Sequence, residues 1–187
     1  MTIDLLYEVQ RLYQSEVRQD STSMELYNMI RASHQRITLS QLRSVLINKD
    51  GSNFSDSTVK LILDMFGKSS FEQLEYLEFI QVSQYLLGYL RVFQTVDLDR
   101  SGSISLQEYS KALQIYKFGL FQDTIDEIFV QFTSSKSVSM NFDLFLESMV
   151  WCLKILQSFS KYELPNSSNA VLSLDDLYEQ VVGFSSL

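Results

Sequence analysis

Residues 97–108 bring together the oxygen-bearing side chains that a hard cation needs. They read Asp-Leu-Asp-Arg-Ser-Gly-Ser-Ile-Ser-Leu-Gln-Glu. A cation of calcium's size takes about seven oxygen ligands, and one loop can supply them when acids and hydroxyls recur at alternate positions. Gly102, in the middle, allows the positive-φ bend by which the chain wraps around an ion. The stretch is therefore a candidate calcium loop.

The expected role of each residue follows from the spacing of an EF-hand loop. Side chains at positions 1, 3 and 5 and the backbone carbonyl at position 7 contribute oxygens. Position 9 holds a bridging water, and the glutamate at position 12 contributes two oxygens. Ile104 at position 8 is expected to pair with a neighbouring loop. One calcium ion per chain is expected, with the ligands Asp97, Asp99, Ser101, Ser103, Ser105 and Glu108.

The alternative is an acidic, serine-rich surface turn that binds nothing. The spacing of the fixed Asp, Gly and Glu residues favours the calcium loop. Only three carboxylates contribute, however, and three of the remaining ligand positions are serine. A low ligand charge predicts a dissociation constant of about 1 µM or weaker, which suits a sensor better than a tight buffer.

The composition indicates a helical protein without a disulfide framework. The chain has 187 residues, 45% of them hydrophobic, with six glycines and a single proline. So few turn residues favour an all-α fold. A net charge of -8 argues against nucleic acid as a partner. One cysteine, an acidic N-terminal segment and no run of 18 uncharged apolar residues predict a cytoplasmic protein.

A helix-loop-helix pattern recurs along the chain every 30 to 35 residues or so. It predicts an EF-hand fold of five tandem units with short paired loop strands. Residues 1–20 form a separate amphipathic helical pattern, and the EF-hand domain spans residues 21–187. The five hands are expected near residues 24–46, 57–80, 85–116, 121–150 and 153–184.

Hands one and two keep the shape of the unit and lose its ligands. In hand one, position 12 is Gln41 and the strand residue is Ile37. Hand two keeps Glu78 at position 12. Positions 1, 3 and 5 do not supply enough side-chain oxygens for calcium in either loop. They carry Ile30, Ala32 and His34 in hand one, and Gly67, Ser69 and Phe71 in hand two. Neither hand is expected to bind calcium.

Hands four and five are also expected to be free of metal. Hand four enters through the apolar residues Phe121, Ile125, Ile128 and Phe132 and offers hydroxyls at Thr133, Ser135 and Ser137. Its position 12 is Leu144, which cannot close a shell. The fifth loop, residues 163–176, is two residues too long and contains Pro165. Apolar residues recur throughout residues 77–96 and 142–162, and proline is absent from both segments, so each predicts one long helix shared by two hands.

Five hands, two shared helices and an over-long fifth loop resemble the penta-EF-hand family. The likeness covers residues 24 to about 184 and is most specific over residues 93–109. The resemblance implies an all-α fold and a homodimer or heterodimer formed through the fifth hand. It also implies binding of a peptide segment of a partner protein, or of a membrane, when calcium is bound. The chain departs from the family in its first hand and in residues 1–20, where a Gly/Pro-rich tail is typical.

Three functions remain open from the sequence. The first is a non-catalytic calcium sensor or adaptor with one working hand. The second is the regulatory subunit of a calpain-like protease, in which the fifth hand would prefer a different chain. The third is a scaffold indifferent to calcium. Catalysis is not expected, because the only histidine, His34, has no acidic cluster around it, and Cys152 lies in an apolar helical stretch.

Overall fold

The computed structural model describes residues 19–32, 34–67, 73–133 and 138–162, together with residues 171 and 173. The predicted helix over residues 1–20 lies outside the described residues except for its last two positions. The loop and exit of the fifth hand also lie outside them, apart from residues 171 and 173. The described part is mostly helical, with seven α-helices and two pairs of short antiparallel strands, so the all-α EF-hand prediction is confirmed. None of its helices is long and apolar enough to cross a membrane.

The elements follow one another as helix, loop strand and helix. Hand one uses α1 (Gln19–Arg31), β1 (Ile37–Thr38) and α2 (Leu39–Val45). Hand two uses α3 (Asp56–Phe66), β2 (Gln73–Leu74) and α4 (Tyr76–Val96). Hand three runs from α4 through β3 (Ser103–Ile104) to α5 (Leu106–Ile115). Hand four uses α6 (Gln122–Phe132), β4 (Met140–Asn141) and α7 (Phe142–Ser160).

Two long helices each span the end of one hand and the start of the next. Helix α4 has 21 residues and connects the strand of hand two to the loop of hand three. Helix α7 has 19 residues and extends from the strand of hand four toward hand five. Both were expected because apolar residues recur throughout the segments and proline is absent. A rigid α4 fixes the first ligand of the candidate calcium loop relative to hand two.

The helices that leave hands one, two and three all begin in the same way. Position 12 of each loop is the third residue of the exit helix, where its side chain accepts from the backbone N–H of the N-cap residue. The residues at this position are Gln41, Glu78 and Glu108, and their N-caps are Thr38, Glu75 and Ser105. The residue that would close a calcium shell therefore also caps a helix, with or without an ion. This explains why Glu78 can persist in a loop that lacks the other ligands.

The loop strands pair two by two, hand one with hand two and hand three with hand four. Ile37 lies opposite Leu74, and Ile104 lies opposite Met140. All four side chains are fully buried, and each lies at position 8 of its loop. Ile104 therefore pairs with a neighbouring loop as predicted. The pairing fixes loop three against loop four.

An aromatic cluster joins the helices around hand three. The ring of Phe145 on α7 lies 5.4 Å from that of Phe93 on α4 and 6.4 Å from that of Tyr109 on α5. Tyr89 and Tyr116 stack at 5.6 Å and link α4 to the end of α5. Burial raises the pKa of Tyr116 to about 12, so its hydroxyl stays protonated near neutral pH. Both helices that flank the candidate loop thus pack on α7.

A short hairpin connects hand one to hand two and was not foreseen. We call residues 46–54 the linker hairpin. Asn48 N–H donates to the Ser52 carbonyl oxygen at 2.8 Å, and Phe54 N–H donates to the Leu46 carbonyl oxygen at 3.0 Å. Gly51, at φ +86°, makes the tight turn. The hairpin is anchored on the first turn of α7, where the Asp143 carboxylate accepts from the Asn48 side-chain amide at 3.1 Å and the Ser55 backbone N–H at 3.0 Å.

Replacing Asp143 with Ala is expected to lower the free energy of unfolding by about 2 kcal/mol, because the buried Asn48 amide would lose one of its two acceptors and the Ser55 N–H would lose its carboxylate acceptor. Urea denaturation of the metal-free protein measures this loss. Asp64→Ala, an exposed aspartate on α3, is the matched control and should change stability by less than about 0.5 kcal/mol. Equal stabilities of the two variants would contradict the anchoring role of Asp143.

Candidate metal centre

The first ligand position lies at the end of the long helix α4. Asp97 is the C-cap of α4, and its backbone N–H donates to the Phe93 carbonyl oxygen at 2.9 Å. The side chain is buried, and its two oxygens accept from backbone N–H groups of the loop. Ser101 N–H donates to Oδ1 at 3.0 Å, and Gly102 N–H donates to Oδ2 at 2.9 Å. These bonds turn the loop around the carboxylate.

Two residues with positive φ make the turn possible. Gly102 at loop position 6 has φ +87°, as the sequence predicts for a loop that wraps an ion. Arg100 at position 4 has φ +57°, a conformation that the sequence did not reveal, because arginine adopts it rarely. The side chain of Asp99 accepts from Ser101 N–H at 2.9 Å, which places a second carboxylate on the same side of the turn.

Glu108 reaches back across the loop from the first turn of α5. Its Oε1 accepts from Leu98 N–H at 3.1 Å, and its Oε2 accepts from Ser105 N–H at 2.8 Å. Burial alone would raise the pKa of the Glu108 carboxyl, but the hydrogen bonds from Ser105 and Leu98 lower it below its usual value. The hydrogen bond from Ser101 N–H likewise lowers the pKa of Asp99. Both carboxyls are therefore ionised near neutral pH.

The three acids converge on one point. Oxygens of Asp97, Asp99 and Glu108 all lie within 4.8 Å of one another. In the described part of the chain none of them is paired with a lysine or arginine side chain, and no other group of three or more His, Cys, Asp or Glu comes as close together. Three carboxyl groups without a cationic partner are a donor set for a hard cation such as Ca²⁺. The residues present therefore fit a calcium ion.

The three predicted serine ligands also lie on this loop. The Ser101 hydroxyl donates to the Ser103 carbonyl oxygen at 2.7 Å, so the groups predicted at positions 5 and 7 are adjacent. Ser105 is the N-cap of α5, and its hydroxyl donates to Glu108 Oε2 at 2.9 Å. A bridging water at position 9 stays a prediction. The structure thus gathers all six predicted site residues, Asp97, Asp99, Ser101, Ser103, Ser105 and Glu108, on one loop.

Comparison with known proteins gives relatives rather than a family model, since no family model matches the chain. Peflin of Saccharomyces cerevisiae is 25% identical over 173 residues, which cover 87% of this chain and 51% of that protein. The calpain-2 catalytic subunit of Gallus gallus is 23% identical over 159 residues, covering 80% of this chain and 22% of that protein. The chain spans about half the length of the peflins it matches.

A solved structure shares the fold over nearly the whole chain. It is described as a homolog of programmed cell death 6 protein from Leishmania major Friedlin, with a TM-score of 0.81 and 18% identity. The match covers 97% of this chain and 98% of that one. The chain is a relative of the penta-EF-hand proteins.

The first hand of this penta-EF-hand relative uses an amide where a calcium loop needs a carboxylate. Gln41 Nε2 donates to the Arg31 carbonyl oxygen at 2.8 Å and lies 3.2 Å from His34 Nδ1. Its Oε1 accepts from Thr38 N–H at 2.9 Å. The amide bridges the ends of the loop without an ion. His34 is thus a loop histidine with a hydrogen-bond partner, as expected.

Hands two and four supply no second acidic cluster among the residues that the structure describes. Leu144 is the third residue of α7, so position 12 of hand four is apolar. The Thr133 hydroxyl at position 1 donates to the Phe129 carbonyl oxygen at 2.7 Å. Ser69, Phe71, Ser135 and Ser137 lie outside the described residues. Cys152 is buried on α7, and burial raises the pKa of its thiol, which agrees with a structural role.

One residue that contacts the candidate calcium loop could not be identified from the sequence. The Lys49 ammonium of the linker hairpin donates to the Arg100 carbonyl oxygen of loop three. The doublet Asp50-Gly51 signals a turn between hands one and two. This doublet does not indicate which part of the protein the turn contacts, because Lys49 and Arg100 are 51 positions apart in the sequence.

Proposed function

We propose that the chain is a non-catalytic calcium sensor or adaptor with one working EF-hand, hand three, that recruits partner proteins. The observation that carries the proposal is the convergence of three carboxyl groups, whose oxygens lie within 4.8 Å of one another, on a loop of EF-hand spacing. The similarity of the chain to the peflins supports the same class of protein. The working ligands are Asp97, Asp99, Ser101, Ser103, Ser105 and Glu108.

The ligands connect two helices, and this supplies a mechanism. Bound calcium would offer one positive centre to carboxylates that otherwise hold N–H groups of the loop. Asp97 is fixed to the last turn of α4, and Glu108 is fixed to the first turn of α5. A change in how Glu108 is held therefore changes the angle between the two helices. The Tyr89–Tyr116 stack joins the same two helices and would be remodelled.

An apolar surface lies next to the helices that would move. Phe121, the first apolar residue of the pattern that enters hand four, is the N-cap of α6 and is 85% exposed. Leu120 and Ile115 beside it are also exposed. We propose that this surface receives a peptide segment of the partner in the calcium-bound state. Contiguous exposed apolar patches commonly mark binding sites.

The fifth hand is proposed to form a dimer, either with a second copy or with a different chain. The loop strands of hands one to four pair with each other, which leaves an odd hand to find a partner. Ile155 and Leu156, near the end of the helix that leads to hand five, are exposed in the single chain. We also place the protein in the cytoplasm, where a site of micromolar affinity would respond to changes in calcium.

Calorimetric titration of calcium into chelator-stripped protein tests the proposal. We expect one site per chain with a dissociation constant of about 1 µM, weakened little by roughly millimolar magnesium. Light scattering in the same buffer should give twice the 21.7 kDa chain mass. No binding heat below about 1 mM calcium would contradict the sensor and favour a scaffold that is indifferent to calcium.

A regulatory subunit of a calpain-like protease is the second candidate, favoured by the match to the calpain-2 catalytic subunit. The molar mass of the isolated protein distinguishes the regulatory subunit from the adaptor. A monomer that aggregates when isolated, and that is stabilised by a different EF-hand chain, would support the regulatory subunit. A stable homodimer would support the adaptor.

A further inference from the structure

The linker hairpin holds a positive charge against the candidate calcium loop. The Lys49 ammonium donates to the Arg100 carbonyl oxygen. The aliphatic stem of Lys49 lies directly on Gly102, since a Cβ at Gly102 would come within 2.5 Å of Lys49 Cβ and Cδ. The lysine therefore covers the turn between loop positions 4 and 6.

Lys49 contacts the peptide group between Arg100 and Ser101, and the N–H of the same group faces the carboxylates of Asp97 and Asp99. The Arg100 carbonyl and the Ser101 N–H are the two ends of a single peptide bond. Ser101 N–H donates to Asp97 at 3.0 Å and to Asp99 at 2.9 Å. An ammonium at the oxygen end polarises this N–H, which strengthens its bonds to the carboxylates. Two hydrogen bonds and one peptide unit place the charge roughly 8 to 10 Å from an ion bound among the carboxylates.

Contacts on both sides of Lys49 keep it in place. Asp50 accepts from the Asn141 side-chain amide at 3.0 Å, next to strand β4. Asn48 exchanges two hydrogen bonds with Asp143, and the Asn48 side chain is buried. The hairpin is thus fixed to hand four while its lysine lies on hand three. A held charge acts more strongly on its surroundings than one on a freely rotating side chain.

We propose that Lys49 sets the calcium affinity of hand three from outside the loop, and that it weakens binding. This inference rests on the proposed function, because it assumes that the loop binds calcium. Two effects act in the same direction. The ammonium repels the incoming divalent cation. It also stabilises the metal-free arrangement in which Ser101 N–H donates hydrogen bonds to the carboxylates of Asp97 and Asp99. Because coupling is reciprocal, calcium binding weakens the contact between the linker hairpin and hand three by the same factor.

Lys49→Met tests the proposal, because methionine keeps the apolar stem on Gly102 and removes the charge. In about 20 mM salt we expect calcium to bind Lys49→Met about two- to fivefold more tightly than the unchanged protein, as for a unit charge acting on a divalent ion over this distance in a water-like medium. In about 0.5 M salt the difference should fall below about twofold, because the charge is screened. Lys60→Met removes an equal charge from an exposed position on α3 and should leave the affinity unchanged.

The metal-free protein provides a second readout. The Ser101 amide proton should resonate upfield in Lys49→Met, because its hydrogen bonds to the carboxylates weaken. Either an unchanged affinity or an unchanged Ser101 resonance overturns the role of Lys49, and so does weaker calcium binding in Lys49→Met. Failure of the proposed function looks different, since the unchanged protein would then bind no calcium at all.

Discussion

Replacing Glu108 with Gln is expected to weaken calcium binding on the order of 100-fold and to leave the metal-free fold unchanged. The substitution removes one of three carboxylates and half of the oxygens at position 12, while the size of the side chain stays the same. Calorimetry of the chelator-stripped variant measures the affinity. Circular dichroism of the same sample should match that of the unchanged protein.

The chain itself shows that glutamine can fill this structural position. Gln41 occupies position 12 of hand one and makes the same capping box with Thr38 that Glu108 makes with Ser105. Glu108→Gln therefore keeps the helix cap and removes the charge. Glu78→Gln is the matched control, because Glu78 caps α4 in hand two, and the sequence of that loop has Gly67, Ser69 and Phe71 at ligand positions 1, 3 and 5. We expect Glu78→Gln to bind calcium normally, and a near-normal affinity in Glu108→Gln would contradict the proposed coordination.

The sequence predicted the features that depend on local spacing. The six ligands of loop three, the strand residues Ile37 and Ile104 and the two long helices were predicted from patterns within about 20 residues. The structure confirms the strand residues and the helices, whereas the ligand roles stay a prediction. The calcium loop is such a pattern because one short loop supplies every protein ligand. Binding of the ion itself stays a prediction.

The docking of the linker hairpin could not be predicted in the same way. Lys49 and Arg100 are 51 positions apart, and Asn48 and Asp143 are 95 apart. Polar residues in a turn predict a solvated loop, whether the turn faces water or packs against another hand. Only the pairing of hands three and four, combined with the packing of α3 on α7, brings these segments together.

Burial on the helices was predicted less well than their bounds. Phe121 lies at the start of an apolar pattern, yet it is exposed because the N-cap position precedes the face of α6 that packs. Ile125 and Phe129, one and two turns later, are buried as the periodicity requires. A hydrophobic residue at a helix start therefore does not by itself indicate core. Here it indicates a surface that a partner could cover.

Replacing Phe145 with Ala is expected to cost about 3 to 5 kcal/mol of unfolding free energy, the largest effect on stability among the changes considered. Phe145 is fully buried, and its ring meets those of Phe93, Phe142 and Tyr109. Truncation removes these contacts and leaves a cavity that α4, α5 and α7 cannot fill without moving. Urea denaturation of the metal-free protein measures the loss, at one fixed protein concentration because a dimer unfolds with its partner.

Two control substitutions are needed to interpret the effect of Phe145→Ala on stability. Phe121→Ala makes the same chemical change at an exposed ring and should cost less than about 0.5 kcal/mol. Phe145→Leu keeps most of the volume and should cost less than about 1.5 kcal/mol. Phe145 touches both α4 and α5, so it supports the two helices that carry Asp97 and Glu108. If saturating calcium stabilises Phe145→Ala less than it stabilises the unchanged protein, this core transmits binding to the fold. Equal stabilisation would confine the effect of calcium to the loop.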